Sequence, residues 1–311
     1  MTNPRVLSLS FQTGGNPRRD SAGFVFGKFW YHVLLMAARN FRELLESRWE
    51  RGNFLCVGLD SELSKIPVSA RGTNTYETIL TFNKAIVDAT KDLVCAFKPN
   101  SAFYEAHGDE GWHALRDTVG YIHEAAPDVP VILDAKRADI GNTNDGYVEA
   151  IFDHLGVDAV TVHPYLGAEA LKPFLDRKEK GIIVLCKTSN PGAGEFQDLL
   201  VDGEPLYRTV AKHVARDWNT NGNCGLVVGA TYPEDLKEVR ATAGDMPILI
   251  PGIGPQGGDI EKTVAAGKDS RGQGMIISAA RAVIFASNGP DFTDAARAQA
   301  TALDGTIRKA M

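Results

Sequence analysis

The chain has 311 residues, of which 44% are hydrophobic and 23% charged, and its formal net charge is −6 at pH 7. These values are typical of a soluble globular chain with one large domain or two small ones. The acidic balance, without a strong basic run, argues against nucleic acid or an anionic membrane surface as a partner.

Residues 1–38 are predicted to form an N-terminal extension, a tail followed by an amphipathic helix. The stretch from Phe24 to Ala37 is apolar, but Lys28 and His32 interrupt it, and it is too short to span a bilayer. We therefore interpret it as a helix that packs on the following domain, and not as a signal peptide or membrane anchor.

Eight short apolar runs follow, and nearly all of them end in a polar or charged residue. Continuous apolar runs are what strands buried on both faces require, and helical stretches between them imply parallel strands with crossovers. Eight such units over about 250 residues favour an α/β fold, a single (β/α)8 TIM barrel over residues 39–311. An open doubly wound sheet is the alternative, but no GxGxxG motif follows the first run. The runs are Phe54–Asp60, Leu93–Lys98, Val131–Lys136, Ala159–His163, Ile182–Lys187, Leu226–Gly229, Pro247–Ile250 and Met275–Ser278.

The cysteines Cys56, Cys95, Cys186 and Cys224 are far apart, and three of them fall in apolar runs. This pattern is typical of buried, reduced thiols, and no CxxC pair suggests a zinc or redox site. A cytoplasmic location is therefore expected.

A charged cluster is predicted where the third run ends, at Asp134, Lys136 and Asp139. Residues two apart in a strand point to the same side, so Asp134 and Lys136 should share a face, with Asp139 just beyond the strand. Such a cluster is costly to desolvate and serves either as a satisfied ion network or as a site. Active sites of these barrels lie at the C-terminal ends of the strands, which favours a site.

A phosphate site is predicted from the loops after the seventh and eighth strands, where such barrels often hold one. The glycines of the loop from Pro251 to Asp259 allow backbone N–H groups to approach an anion, and Arg281 stands where a helix is expected to begin. At the ends of the first two strands, Asp60, Lys98 and Asn100 offer groups suited to ribose hydroxyls, although interstrand ion pairs would use the same residues.

These motifs together resemble the orotidine 5′-phosphate decarboxylase family, in particular its second type, which occurs in bacteria and protozoa. The string from Asp134 to Thr143, DAKRADIGNT, is close to diagnostic, whereas Ala138 and Ser61 depart from the glycine and proline usual in this type. Softer motifs follow in the family's order at Cys56–Asp60, Phe97–Asn100, Thr161–Tyr165, Lys187–Gly192, Pro251–Gly258 and Ser278–Arg281.

The resemblance implies a cofactor-free and metal-free decarboxylation of orotidine 5′-monophosphate to UMP, the last step of pyrimidine nucleotide synthesis. It implies that Lys136 protonates C6 as carbon dioxide leaves and that Asp134 lies against the substrate carboxylate. Asp139 and Thr143 would reach into the neighbouring site of a homodimer. The substrate-binding residues that the resemblance implies are Asp60, Lys98, Asn100, Ile140, Thr143, Thr188, Ser189, Pro251, Gln256, Ala280 and Arg281.

Three alternative functions stay open at this point. A metal-dependent sugar-phosphate decarboxylase or epimerase of the same barrel group shares the Asp-x-Lys-x-x-Asp string. A Schiff-base aldolase would use Lys136 or Lys187 as its amine. A catalytically silent barrel would bind UMP tightly without turnover.

Overall fold

The computed structural model describes residues 39–253 and 258–311. The predicted tail and amphipathic helix within residues 1–38, and the candidate residue Gln256, lie outside these ranges. The chain from Arg39 to Met311 forms one compact unit.

Eight parallel strands form the barrel, and each of them overlaps one of the eight apolar runs. The strands are β1 (Leu55–Gly58), β2 (Val94–Lys98), β3 (Ile132–Arg137), β4 (Ala159–Val162), β5 (Gly181–Lys187), β6 (Cys224–Val228), β7 (Ile248–Pro251) and β8 (Met275–Ala279). Their order around the sheet is β2-β1-β8-β7-β6-β5-β4-β3. Isolated parallel bridges, Phe97 to Val131 and Asn100 to Asp134, join β2 to β3. The TIM-barrel prediction is confirmed.

Helices follow the strands and cover the outside of the barrel. They are α1 (Phe41–Glu50), α2 (Thr75–Thr90), α3 (Ala102–Glu105), α4 (Gly108–Ala125), α5 (Asn142–Val148), α6 (Gly167–Leu175), α7 (Gly194–Gln197), α8 (Leu206–His213), α9 (Pro233–Ala243), α10 (Ile260–Gly267), α11 (Arg281–Ile284) and α12 (Phe292–Ala310). Every residue of β1, β2, β4, β6 and β8 is buried, which explains why these runs are continuously apolar. A short antiparallel hairpin, Leu200–Val201 with Glu204–Pro205, precedes α8.

The helices depart from regular amphipathic helices in two respects. On α4, Leu115 and Val119 are fully buried, whereas Trp112, at helical spacing from them, is 38% exposed. The helical ladder also widens into π-helix at Glu149–His154, after α5, and at Val214–Trp218, after α8. A π-turn adds a residue to the turn, and hydrophobic spacing alone does not reveal it.

All four cysteines are buried and free, as predicted for reduced thiols. Burial raises the pKa of the Cys56, Cys186 and Cys224 thiols to about 12. Because the thiolate is the reactive form, these side chains are inert packing groups at neutral pH.

At the N-terminal ends of the strands, the carboxylate of Asp158 is a centre of hydrogen bonds and has no exposed side-chain surface. Arg39 donates to it twice, at 2.8 and 2.9 Å, and the Val131 N–H donates at 2.8 Å. His123 Nε2 lies 3.4 Å away. Burial opposes ionisation, but the neighbouring His123 and the hydrogen bonds from Arg39 hold the pKa of Asp158 well below its usual value.

We expect Asp158→Asn to lower the free energy of unfolding by about 3 to 5 kcal/mol, because it leaves the buried Arg39 guanidinium without its counter-charge. The matched control is Asp153→Asn, which removes the carboxylate of a more exposed pair with Arg177 and should cost no more than about 1 kcal/mol. Urea unfolding at pH 7 measures both. Since the folded pKa of Asp158 is depressed, its contribution is present above about pH 4 and is lost as the pH falls below that. Equal losses in the two variants would contradict the assignment.

Candidate active site

The charged residues at the end of β3 form a cluster with the last residue of β2. Asp134 Oδ1 lies 2.6 Å from Lys136 Nζ, and Asp134 Oδ2 lies 3.0 Å from Lys98 Nζ. Lys98 is buried, whereas the Lys136 side chain is 49% exposed. The Asp134 carboxylate therefore lies between the buried ammonium of Lys98 and the exposed ammonium of Lys136, at the end of the barrel where the strands finish.

Asp134 and Lys136 lie together as predicted, but simple strand alternation is not the reason. Between β3 and β4 the paired residues are Leu133 with Val160 and then Arg137 with Val162. Asp134, Ala135 and Lys136 consequently lie opposite one residue of β4, and Lys136 adopts a positive φ of 49°. Such bulges redirect side chains and recur beside active sites.

The charges of the cluster fix its ionisation. Burial raises the pKa of Asp134, but Lys98 and Lys136 outweigh it and bring the pKa down to about 2. Burial would lower the pKa of Lys98, but Asp134 and Asp60 raise it above the ordinary value. At neutral pH this carboxylate and this ammonium are therefore both charged.

Asp60, just past the end of β1, borders the same cluster. Its Oδ1 is buried, lies 4.0 Å from Lys98 Nζ and accepts no hydrogen bond from the described part of the chain. Burial raises its pKa against the opposing charges of Lys98 and Arg281. A buried carboxylate oxygen without a donor is costly, so Asp60 presents an acceptor that is ready for a ligand hydroxyl.

The C-terminal ends of β1 and β8 lie close together, so the residues predicted to bind phosphate lie at the same end of the barrel as the cluster. A Cβ at Gly58 would lie 2.6 Å from the Ala280 Cβ, so only glycine fits there. Arg281 follows as the first residue of α11 and is exposed. Pro251 ends β7 and pairs with Ser278 of β8. Three of the predicted substrate-binding positions thus stand on neighbouring strand ends.

Asp139 and Ile140 lie on the loop after β3, and Thr143 lies in the first turn of α5. In the described part of the chain, no hydrogen bond or ion pair joins any of the three to the cluster. Asp139 Oδ1 accepts the Ile140 N–H at 2.7 Å, and among residues 39–253 and 258–311 no cation pairs with it. Ile140 is 60% exposed, and Thr143 is exposed as well. Within a single chain the Asp-x-Lys-x-x-Asp string is therefore divided between two environments.

Three other predicted residues have local partners. Asn100 Oδ1 accepts the Ala102 N–H at 3.1 Å, close to the bridge that closes the barrel. Thr188 exchanges hydrogen bonds with Gln197. Ser189 packs so closely on Gly229 that a Cβ added to this glycine would lie 2.7 Å from the Ser189 Cβ. Ser189 also lies near Gly252, so it faces the loop after β7.

Lys187, the other candidate for a Schiff base, belongs to a separate group. It is buried, forms an ion pair with Asp198, lies 3.9 Å from Asp235 and stands over the rings of Tyr207 and Tyr232 at 5.2 Å. Its nitrogen is paired with a carboxylate inside the protein and is therefore not presented to a carbonyl substrate. This arrangement argues against an aldolase that uses Lys187.

Thr161 on β4 belongs to the motif Thr161–Tyr165 but is not among the predicted site residues. It is the residue opposite the bulge, and its hydroxyl contacts both Asp134 and Lys136. The signal in the sequence was a lone polar residue inside the buried run Ala159–Val162.

An apolar groove of about 790 Å³ lies between the loop after β4 and helix α8. His163 lines it, together with Tyr165 and Phe196, which are 88% and 62% exposed. Nearby exposed side chains include Leu199 and Leu200. A contiguous exposed apolar surface of this kind marks an interaction site.

The part of the chain that the structure describes lacks two kinds of feature. No three His, Cys, Asp or Glu side chains there come together as a set that could hold a metal ion. No helix in residues 39–253 and 258–311 has the length and apolarity needed to cross a bilayer.

Comparison with known proteins identifies a family. Residues 53–295 match the family described as orotidine 5′-phosphate decarboxylase / HUMPS. The chain is 51% identical over 270 residues to orotidine 5′-phosphate decarboxylase of Ralstonia pickettii, an alignment that covers 86% of this chain and 98% of the relative. The corresponding protein of Cellvibrio japonicus is 49% identical over 272 residues, with 87% and 99% covered. The structure of Leishmania donovani OMP decarboxylase superposes with a TM-score of 0.75 at 37% identity and covers 87% of this chain and 99% of that one.

We expect Lys98→Met to raise the pKa of Asp134 above its value of about 2, because the buried ammonium is the largest charge that favours the carboxylate. The 13C chemical shift of the Asp134 carboxyl, followed against pH, measures this. Because the folded pKa is depressed, the stabilisation by Asp134 is present above about pH 4 and is lost as the pH falls towards 2. The variant should lose it at a higher pH.

The control for this titration is Lys172→Met on α6, which removes an exposed ammonium paired with Asp176 and should leave the Asp134 midpoint unchanged. An unchanged midpoint in Lys98→Met as well would show that Lys98 does not govern the ionisation of Asp134.

Proposed function

The chain belongs to the orotidine 5′-phosphate decarboxylase / HUMPS family, and we propose that it decarboxylates orotidine 5′-monophosphate to UMP and carbon dioxide without a cofactor. The relatives that are about half identical over nearly their whole length are named as orotidine 5′-phosphate decarboxylases, that is, carboxy-lyases. As parts of the same proposal, the reaction belongs to de novo pyrimidine nucleotide synthesis and takes place in the cytoplasm.

The observation that carries the proposal is the contact of Lys136 with Asp134 at the open end of the barrel. When the bond from C6 to the carboxylate breaks, its electron pair stays on C6 and carbon dioxide leaves. The ring carbonyls cannot delocalise that pair, so a positive charge must stand where it develops. The exposed ammonium of Lys136 supplies the charge and then transfers its proton to C6.

Asp134 has the complementary part in the ground state. Its low pKa keeps it ionised at neutral pH, so it faces the substrate carboxylate as a like charge. At about 4 Å and an effective dielectric of about 20, that repulsion is roughly 4 kcal/mol, and it is relieved as carbon dioxide departs. Lys98, on the far oxygen of Asp134, keeps the carboxylate in place.

Groups around the cluster suit the rest of the nucleotide. The unpartnered Asp60 oxygen would accept a ribose hydroxyl, and Arg281 with the loop after β7 would bind the phosphate. Ser189 would contact the pyrimidine amide. Binding energy from the phosphate, remote from C6, would contribute to catalysis by holding the ring against Lys136.

A homodimer with shared active sites is part of the proposal. Asp139 lies on the loop after β3 and Thr143 in the first turn of α5, and within the described residues neither is bonded to the cluster of its own chain, which supports a role in a neighbouring site. The exposed Ile140 and the apolar surface around Tyr165 and Phe196 support a second copy as the partner, because such surfaces are normally covered.

A metal-dependent sugar-phosphate decarboxylase or epimerase of the same barrel group is the alternative. Its enediolate chemistry needs a divalent cation, whereas the proposed reaction does not. Chelation therefore separates the two.

We expect the wild-type protein to consume orotidine 5′-monophosphate in EDTA and to release UMP. The loss of substrate absorbance measures this reaction. Lys136→Ala should lower kcat by at least about 10² to 10⁴-fold, because it removes the proton donor, while UMP binding stays measurable by calorimetry.

The control for this variant is Lys172→Ala, in which an exposed lysine far from the cluster is lost and the rate should not change. No turnover by folded wild-type protein in EDTA, but turnover of a sugar phosphate with Mg²⁺, would replace the proposed reaction by the alternative. A Lys136→Ala variant of wild-type rate would remove Lys136 from the mechanism.

We expect hybrid dimers to show the shared site. Lys136→Ala and Asp139→Asn should each have low activity alone, but mixing equal amounts with subunit exchange should restore about a quarter of the wild-type rate, because half of the dimers are hybrids with one intact site of two. If Asp139 acted in its own chain's site, the mixture would show no restoration.

A further inference from the structure

We propose that Thr161 is a positioning residue for decarboxylation, whose hydroxyl holds Asp134 and Lys136 in their reactive arrangement. The inference rests on the proposed function, since it concerns the same two side chains. It assigns a role to a buried, uncharged residue of β4 whose hydroxyl, within the described residues, bonds only to Asp134 and Lys136.

The hydroxyl of Thr161 is used in both directions. It donates to Asp134 Oδ1 at 2.9 Å and accepts the backbone N–H of Lys136 at 3.0 Å. A hydroxyl has one proton to give and lone pairs to receive, so the two bonds are compatible with each other. Thr161 is fully buried, and its β-branched side chain has few rotamers, so the oxygen has a fixed position.

The need for this hydroxyl follows from the bulge. Where Asp134, Ala135 and Lys136 face one residue of β4, the regular ladder between the strands is interrupted. The Lys136 N–H would lose its acceptor there, and the Thr161 oxygen takes the place of a backbone carbonyl. The ladder resumes one step later, where the His163 N–H donates to Arg137 O at 3.1 Å.

The positive φ of Lys136 gives the hydrogen bond a functional meaning. A residue with a side chain at φ 49° is strained and keeps that conformation only when its surroundings enforce it. The bond from the Lys136 N–H to Thr161 is one such constraint, and it acts on the residue whose ammonium must face C6. Relaxation of this backbone would turn the side chain away from Asp134.

Thr161 also completes the set of donors around Asp134. The carboxylate receives Lys136 and Thr161 on Oδ1 and Lys98 on Oδ2. Lysine side chains are flexible, whereas Thr161 is anchored in a central strand, so it fixes the plane of the carboxylate. Loss of the hydroxyl should therefore disturb the reacting geometry more than the binding of the nucleotide.

The test compares variants that differ by one hydroxyl. Thr161→Val keeps the shape and should lower kcat about 10- to 100-fold, the size expected for a small misplacement of reacting groups. KM for orotidine 5′-monophosphate and Kd for UMP should stay within about twofold, because the binding residues are untouched. Thr161→Ser, which keeps the oxygen, should recover most of the rate.

Two further variants guard against a general loss of structure. Thr90→Val makes the same change at another fully buried threonine, whose hydroxyl donates only to Ile86 O at the lower end of α2, and its kcat should equal that of wild type. If Thr161→Val fails to fold by circular dichroism, Thr161→Ala is compared with Thr161→Ser, because both lack the methyl group and differ only in the hydroxyl.

The outcomes separate the two proposals. No turnover by the wild-type enzyme overturns the proposed function itself. Normal wild-type turnover with an unchanged kcat in Thr161→Val, or equal kcat values for Thr161→Ala and Thr161→Ser, overturns the positioning role. A rise in KM and in the UMP Kd with kcat unchanged would likewise assign Thr161 to binding and overturn it.

Discussion

The structure depends on one carboxylate held between two ammonium groups. Asp134 follows the buried first half of β3, and a charge there is tolerated only because Lys98 and Lys136 lie 3.0 and 2.6 Å from its oxygens. The two lysines have unequal surroundings, since one is buried and the other faces the open end of the barrel. This inequality allows one lysine to hold the carboxylate and leaves the other available for chemistry.

The same requirement explains the irregularity of the barrel at this point. A regular β3 would direct Asp134 and Lys136 to the same face but would not fix the backbone conformation of Lys136 through Thr161. The bulge opposite Thr161 and the positive φ of Lys136 fix that conformation, and the regular pairing of β3 with β4 is lost there. On its other side β3 is paired with β2 only through isolated bridges, at Val131 and Asp134. The strand that carries the chemistry is thus the least regularly paired.

The sequence predicted the features that depend on local pattern. Strands buried on both faces require continuous apolar runs, so all eight strands and the barrel could be predicted, together with the placing of Asp134 and Lys136 at a strand end. Features that depend on a distant partner could not. Thr161 contacts Lys136 across 25 residues of chain, and nothing near either residue indicates the pairing. Lys187 looked like Lys136 in sequence, but Asp198 pairs with it.

The neutral character of Thr161 matters for the electrostatics of the proposed reaction. A donor to Asp134 is needed to orient the carboxylate, yet each cation near it weakens the repulsion that it exerts on a substrate carboxylate. Lys98 and Lys136 already offset that charge, and a third ammonium would cancel more of it. A hydroxyl orients the carboxylate through a hydrogen bond without adding net charge. A buried threonine therefore meets both demands, and a lysine or arginine at the same place would meet only the first.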